Sequence, residues 1–202
     1  MSLFRKLFGF KTDKPVEELN PVVRGKYMPE VKVPIDEKFT VNFKANGGKF
    51  LYCENLTEVY QNFQHIIDEN SWNSENVLLL DENLKDKFKN SNLKSTKVLS
   101  EATYFLTTCE NLIANDGSLL FSSNQIFEKK LPEFPINVIV FGTTSQITEN
   151  ISEGLRGIKS KSSGRIPTNI TAIKHFKSQD DKDFLSYGSS TKNLYLLLLE
   201  DL

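Results

Sequence analysis

Three short segments of this sequence hold hydroxyl, amide and glycine residues that are suited to binding a small anion. Backbone N–H groups at turns and helix starts attract carboxylates and phosphates, and hydroxyl side chains can add further hydrogen bonds. No recognisable catalytic motif accompanies the segments, so they indicate binding more clearly than a reaction. Their residues are Asn115, Asp116, Gly117 and Ser118 in the first segment, Gly142, Thr143 and Thr144 in the second, and Gly164 and Arg165 in the third.

The first segment predicts a β-hairpin. Asp116-Gly117 stands between the apolar runs 112–114 and 119–121, and both central residues of a type I′ turn need a positive φ that these two residues tolerate. The turn could present backbone donors to a ligand. It could equally be an ordinary turn, since Asp-Gly forms one without any function.

The second segment follows the apolar run Ile136 to Phe141, which predicts a central strand covered on both faces. Ligands of open α/β sheets bind beyond the carboxyl ends of the strands. We expect Gly142 to let the backbone turn there, and a hydroxyl of Thr144 or Ser145 to cap a helix over 145–160. Capping alone would also explain these hydroxyls.

The third segment, 162–165, reads Ser-Ser-Gly-Arg. A guanidinium in a hydroxyl-rich loop can bind a carboxylate or phosphate through two hydrogen bonds. The same residues also suit a solvated loop.

Composition excludes several classes of protein. The chain has 202 residues, and 25 Lys and Arg against 26 Asp and Glu give a net charge of −1, which argues against electrostatically driven binding to nucleic acid. Two cysteines, Cys53 and Cys109, are too few for zinc or an iron–sulfur cluster, so we expect no metal and no cofactor. We expect no transmembrane segment, because no apolar run approaches about 20 residues, and without a signal peptide we expect a cytoplasmic protein.

The periodicity of apolar residues predicts alternating helices and strands, which is typical of an α/β sandwich with a mostly parallel sheet. The segment 36–46 reads as a helix, although Thr40-Val41 leaves a strand possible. The other predicted helical segments are 55–70, 84–88, 127–131 and 145–160, and the predicted strands are 49–53, 77–80, 97–99, the two hairpin strands, 136–141 and 194–199.

Residues 1–35 differ from the rest of the chain. In residues 1–11, four apolar residues share one helical face: Leu3, Phe4, Leu7 and Phe8. This pattern suits weak contact with a membrane surface or a partner, or a terminal helix that packs on its own domain. Four prolines between residues 12 and 35 predict a linker. We therefore expect one α/β domain over 36–202.

The order of these motifs resembles the LUD domain family of lactate-utilisation (LutC-like) proteins. The run 112–120 resembles the family's hairpin signature, and Leu131-Pro132, the strand 136–141 and the closing strand follow in the family's order. Residues 164–170 resemble a later family motif, which adds Thr168 and Asn169 to the candidate binding residues. Three departures stand out: Asp116 replaces a Thr, Asn169 replaces an Asp, and 187–191 lacks the family's His.

The resemblance implies a three-layer sandwich like that of CoA-transferases, ribose-5-phosphate isomerase and glucosamine-6-phosphate deaminase. It also implies a non-redox component of lactate oxidation that binds a small anionic ligand or docks to iron–sulfur partner proteins. Two alternatives stay open: an enzyme acting on a phosphorylated sugar or acyl-CoA, and a degenerate structural docking protein. Glu110 is similar to the carboxylate nucleophile of CoA-transferases only by fold analogy. The sequence leaves open whether the protein catalyses a reaction.

Overall fold

Helices and strands alternate along the chain in the computed structural model, which describes residues 33–162, 166–176 and 192–201. The helices are α1 (Ile35–Ala45), α2 (Leu56–Glu69), α3 (Glu82–Lys87), α4 (Ser123–Ile126) and α5 (Ile151–Lys161). The strands are β1 (Lys49–Cys53), β2 (Asn76–Leu78), β3 (Lys94–Thr96), β4 (Tyr104–Thr108), β5 (Asn111–Ile113), β6 (Ser118–Phe121), β7 (Asn137–Thr143), β8 (Ile147–Thr148), β9 (Thr171–Ile173) and β10 (Asn193–Leu199).

The main sheet is parallel throughout. Among the described strands, six pair in the order β1-β10-β7-β4-β2-β3. At its centre β7 and β10 pair along their whole length, from Asn137 beside Asn193 to Thr143 beside Leu199. Their apolar residues point to both faces and must be covered on both sides, so this sheet forms the middle layer.

One face of the main sheet is covered by α2 and α3. Both helices bury an apolar stripe against the sheet: Phe63 of α2 and Leu84 of α3 share a buried cluster with Leu106, Ile139 and Leu197. Each helix begins at a capping side chain that satisfies free backbone N–H groups, Asn55 for α2 and Asp81 for α3.

The other face is covered by α1 and by a second, smaller sheet. This sheet has the order β8-β5-β6-β9, and β5 and β6 form an antiparallel hairpin. Phe39 and Phe43 of α1 and Leu112 and Leu119 of the hairpin share a buried cluster with main-sheet residues such as Val140. α5 packs on the outer side of the second sheet, where Ile158 contacts Ile113 and Leu120.

The predicted α/β three-layer sandwich with a mostly parallel sheet is confirmed. The second sheet was not predicted. Its strands are too short to show an alternating pattern of apolar and polar residues. None of the helices within the described ranges has the length and apolar character needed to cross a bilayer.

Most of the predicted elements form, including the helix at 36–46 for which a strand was the alternative, but three predictions need correction and one central strand was missed. The strand predicted at 97–99 lies earlier, at Lys94–Thr96, and the central strand β4 was not predicted. The helix predicted at 145–160 begins only at Ile151. The helical turn predicted at 127–131 is replaced by α4 and by a 3₁₀ turn over Leu131–Glu133.

Some predictions fall outside the described residues. These are the amphipathic segment 1–11, residues 12–32 of the Pro-containing linker, Gly164 and Arg165, and the segment 187–191. The domain division at residue 36 stays a prediction.

Candidate functional site

The carboxyl ends of the main-sheet strands carry a concentration of polar side chains. Because the strands are parallel, Cys53, Thr108, Thr143 and Leu199 lie at the same edge of the sheet. Ligands of open parallel sheets bind at this edge, so a binding site is expected in the loops that follow these residues.

The turn after β7 already holds a carboxylate, that of Asp201. Thr144 Oγ1 donates to Asp201 Oδ1 at 2.9 Å, and Ser145 donates from its backbone N to Oδ1 at 2.8 Å and from its Oγ to Oδ2 at 2.7 Å. Burial raises the pKa of the Asp201 carboxyl, but the hydrogen bonds from Ser145, Thr144 and Thr143 outweigh it, so the pKa lies below its usual range. In the structure these donors bind a carboxylate of the same chain, and binding of an external anion stays a prediction.

The local structure of this segment differs from the prediction. Gly142 does not make the turn, because it lies inside β7 and pairs with Leu198. Thr144 and Ser145 do not cap a long helix either, since they belong to a 3₁₀ turn over Thr144–Gln146. The following helix, α5, is capped by Asn150, whose side chain accepts a hydrogen bond from the Glu153 backbone N at 3.0 Å.

Gln146 joins the ends of β4 and β7. Its Oε1 accepts a hydrogen bond from the Thr143 backbone N at 2.8 Å, and its Nε2 donates to the Cys109 carbonyl at 2.6 Å. One carboxamide thus satisfies a donor from one loop and an acceptor from the other, which holds the two loops at a fixed separation.

Glu110, in the loop after β4, is the best-positioned acidic group at this edge. Its Oε1 accepts hydrogen bonds from Ser122 Oγ at 2.6 Å, Asn124 Nδ2 at 2.8 Å and Gln125 Nε2 at 3.2 Å. We call these four residues the Glu110 cluster. Three donors on one oxygen fix the carboxylate, while its Oε2 accepts no hydrogen bond from the described residues. A carboxylate held in this way can act as a base or as a nucleophile.

The start of α4 positions the donors of the Glu110 cluster. Ser122 and Gln125 form a capping box, in which each side chain bonds to the backbone near the other residue. Ser122 is fully buried. The neighbouring Cys109 is buried as well, and burial, reinforced by the charge of Glu110, raises the pKa of its thiol, which disfavours the reactive thiolate.

The hairpin turn at Asp116 lies at the opposite end of the hairpin from Glu110 and packs on α1. It is not the predicted type I′ turn, because Gly117 has a positive φ, of 67°, and Asp116 does not. Asn46 Nδ2 donates to the Asp116 carbonyl at 2.6 Å, and Lys38 Nζ donates to Asn115 Oδ1 at 2.6 Å. The backbone N–H groups of Asn115 and Gly117 donate to other carbonyls of the chain, and that of Ser118 donates to Asp116 Oδ1. These contacts hold the turn in place and leave those three donors engaged.

Thr168 and Asn169 brace the loop after α4. Thr168 Oγ1 donates to Glu128 Oε1 at 2.6 Å, and Asn169 Nδ2 donates to the carbonyls of Phe127 and Lys129 at 2.8 and 2.7 Å. Both Phe127 and Asn169 have a positive φ, of 52° and 50°. This conformation is unfavourable for a phenylalanine, and the hydrogen bond from Asn169 supports it.

The structure brings only part of the predicted site together. Gly142, Thr143 and Thr144 lie at the sheet edge, the residues 115–118 lie on α1, and Thr168 and Asn169 lie beside α4. Binding at these residues stays a prediction. Sequence reasoning missed the roles of Asp201, Gln146 and Ser122; only the capping-box spacing of Ser122 and Gln125 could have indicated one of them. In the described part of the chain, no three His, Cys, Asp or Glu residues are grouped as metal ligands.

Comparison with known proteins agrees with this architecture. The family model of the LUD domain matches residues 37–199. A crystal structure of a DUF162 family protein from Deinococcus radiodurans is similar, with a TM-score of 0.56 and 11% sequence identity over 83% of this chain and 96% of that chain. At this identity the likeness shows the fold alone. No curated protein matches the chain.

Proposed function

The chain belongs to the LUD domain family, which relates it to lactate utilisation at the level of the family, and we propose that it is a non-redox component of a lactate-oxidising system. In this role it binds a small organic anion and docks to iron–sulfur proteins that transfer the electrons. The observation that carries the proposal is the family match over 37–199 in a sequence with only two cysteines.

The two cysteines support a non-redox role. Cys53 and Cys109 are both buried and unpaired, and burial raises the pKa of both thiols. A cluster of the usual type needs about four thiolate ligands. Oxidation of lactate to pyruvate releases two electrons and two protons, so an acceptor on another protein has to take the electrons.

The proposal is tested by removing the protein from its own cells. We expect the deletion to abolish lactate-dependent dye reduction in extracts, and the purified full chain to restore it. A tagged full chain should retain an iron–sulfur protein through purification, detected by its visible absorption and iron content. Unchanged lactate oxidation in the deletion strain would refute the proposal. A variant lacking residues 1–11 tests whether that segment makes the partner contact.

A second function is favoured by the Glu110 cluster. A carboxylate with one fixed oxygen and one oxygen without a donor among the described residues suits an enzyme acting on a phosphorylated sugar or acyl-CoA. Ligands that bind the native state raise the melting temperature. This function therefore predicts that sugar phosphates or coenzyme A raise the melting temperature of the protein. The Glu110→Gln variant should lose turnover but should still be stabilised by the same ligands. A panel of these ligands with no thermal shift would exclude it.

A further inference from the structure

A cleft of about 390 Å³ lies beside β9, the strand at one end of the second sheet. One wall is formed by the end of α4 and the segment up to residue 132, and the other by residues 169–175. Leu131, Pro132 and Ala172 contribute accessible apolar surface to it, and the buried side chains of Ile126 and Ile173 lie beneath this surface. Its volume lies in the range of pockets that hold small molecules. The cleft is separate from the Glu110 cluster, whose residues do not line it.

The charged residues that line the cleft are all basic. Among the described residues, Lys130 and Lys174 line it together with His175, and no carboxylate does. Both lysines are exposed, and neither forms an ion pair with any residue that the structure describes. Two ammonium groups at one small cleft attract an anion, and they lose no existing ion pair when it binds.

The carboxylates of Glu128 and Glu133 lie in or directly after the segment that forms one wall of the cleft, and both accept hydrogen bonds. The negative charge of Glu133 also interacts with the Lys130 ammonium. Glu133 Oε1 accepts a hydrogen bond from the Lys130 backbone N at 2.7 Å, and its Oε2 lies 3.6 Å from Lys129 Nζ. Glu128 accepts the hydroxyl of Thr168. Behind the wall, the buried ammonium of Lys192 donates to the Phe134 carbonyl at 2.8 Å, and its charge adds to the positive potential of this region.

We propose that this cleft binds a small organic carboxylate. Lys130 and Lys174 hold the carboxylate, and the aliphatic part of the ligand lies on Leu131, Pro132 and Ala172. Inorganic phosphate would interact only with the two ammonium groups, whereas an organic carboxylate also contacts the apolar surface of the cleft. Asn169, a residue that the family resemblance selected, lines the same cleft.

The inference deepens the proposed function and rests on it only in the choice of lactate and pyruvate as probes. The charge and the apolar surface of the cleft stand independently of any partner protein. Loss of lactate oxidation in cells tests the proposed function, whereas ligand binding by the purified chain tests the cleft. The two can therefore fail separately.

The test is an NMR titration of the isotopically labelled full chain with L-lactate, pyruvate, butyrate, hexanoate and inorganic phosphate at constant pH and ionic strength. We expect saturable shifts at residues 126–132 and 169–175. Affinity should increase roughly two- to fourfold for each CH₂ group from butyrate to hexanoate, because each one buries more apolar surface. Phosphate should bind more weakly than any of the carboxylates.

Single substitutions identify the cleft as the binding site. Lys130→Ala and Lys174→Ala should each weaken carboxylate binding roughly tenfold, as expected for the loss of one charge-assisted hydrogen bond. Lys89→Ala is the matched control, since Lys89 is an exposed lysine that follows α3 on the other face of the main sheet. Three results would each overturn the inference: carboxylate binding that Lys89→Ala weakens as much as the cleft substitutions do, an affinity for phosphate equal to that for the carboxylates, or a titration without saturable shifts.

Discussion

Ser145 donates hydrogen bonds to both carboxylate oxygens of Asp201, from its backbone N at 2.8 Å and from its Oγ at 2.7 Å. This contact joins the turn after β7 to the segment after β10, the neighbouring strand of the main sheet. The turn that the sequence marked as an anion site is thus closed by a carboxylate from the same chain. An anion that binds these donors would compete with Asp201 for them.

Asp201→Asn should lower the stability of the fold in a pH-dependent way. The lowered pKa of Asp201 means that its charged form is favoured by the folded state. Its stabilisation is therefore fully present above the usual Asp pKa and is lost as the pH falls through the lowered folded value. Because Asp201 is largely exposed, we expect a loss below about 1 kcal/mol at pH 7.

Urea unfolding between pH 2 and pH 7 measures this effect. The difference between the wild type and Asp201→Asn should shrink toward low pH, because both side chains are then neutral. Asp86→Asn is the control, since Asp86 is exposed on α3 and the described residues give it no hydrogen bond through its side chain. A difference that does not vary with pH would contradict the assigned role of the carboxylate.

Glu110→Ala should destabilise the protein more than Glu110→Gln. The alanine variant removes the acceptor of three donors, and the buried hydroxyl of Ser122 keeps only a longer contact, 3.3 Å to Gln125 Oε1. Losing a hydrogen bond to a charged group costs about 1.5–3 kcal/mol. Glutamine keeps one carbonyl oxygen that can accept from Ser122. Chemical denaturation of both variants checks this order, and equal effects of the two substitutions would contradict the claim that an acceptor oxygen at residue 110 stabilises the fold.

Gly117→Ala should be strongly destabilising. Gly117 has a φ of 67°, and a Cβ there would lie 2.4 Å from the backbone of Asn42 and Phe43 in α1. The side chain would force the hairpin away from the helix, so we expect a loss of more than about 2 kcal/mol, the sum of backbone strain and lost packing.

Gly157→Ala provides the matched control for the hairpin glycine. Gly157 lies within α5, and a Cβ there meets no atom within 4 Å. Alanine is the better helix former, so this substitution should stabilise the protein by about 0.5–1 kcal/mol. Thermal unfolding of both variants would show opposite shifts. A neutral Gly117→Ala would contradict the close contact between the hairpin and α1.

The sequence predicted the layers of the fold better than their connections. Long apolar runs such as 136–141 and 194–199 indicate buried strands wherever they occur. The strand β4 was not predicted, because Tyr104–Thr108 combines aromatic, aliphatic and threonine residues and no obvious turn precedes it. Short strands such as β8 and β9 form because the hairpin offers them a partner, which is a tertiary effect that no local pattern records.

The candidate site was harder to predict than the fold. Hydroxyl residues that follow a strand indicate an anion site and a helix cap equally well. In the structure, the hydroxyls of Thr144 and Ser145 donate hydrogen bonds to the Asp201 carboxylate. The donors of the Glu110 cluster lie 12 to 15 residues from it in the sequence, so only the folded hairpin brings them together. The basic residues of the cleft likewise come from two segments of the sequence, with Lys130 before β9 and Lys174 and His175 after it. Their spacing in the sequence does not indicate that they share a cleft.

Lys192 is the most deeply buried charged residue described. It is 2% exposed, and its Nζ donates to the carbonyls of Phe134 and Pro135 at 2.8 and 3.1 Å. Burial lowers the pKa of its ammonium to about 8, from an ordinary value of 10.5. The folded state therefore opposes the charged form of Lys192.

This lowered pKa predicts that the contribution of Lys192 to stability becomes more favourable as the pH rises. Between about pH 8 and 10.5 the unfolded chain keeps the proton that the folded protein has lost, so the unfolded state binds more protons and the free energy of unfolding increases with pH. The difference in this free energy between the wild type and Lys192→Met should increase by on the order of 3 kcal/mol across that interval.

Lys89→Met is the control, because Lys89 is exposed and the free energy of unfolding of this variant should differ from that of the wild type by a constant amount. Urea denaturation at a series of pH values measures both differences, and a constant difference for Lys192→Met would mean that its ammonium is not held in a buried environment.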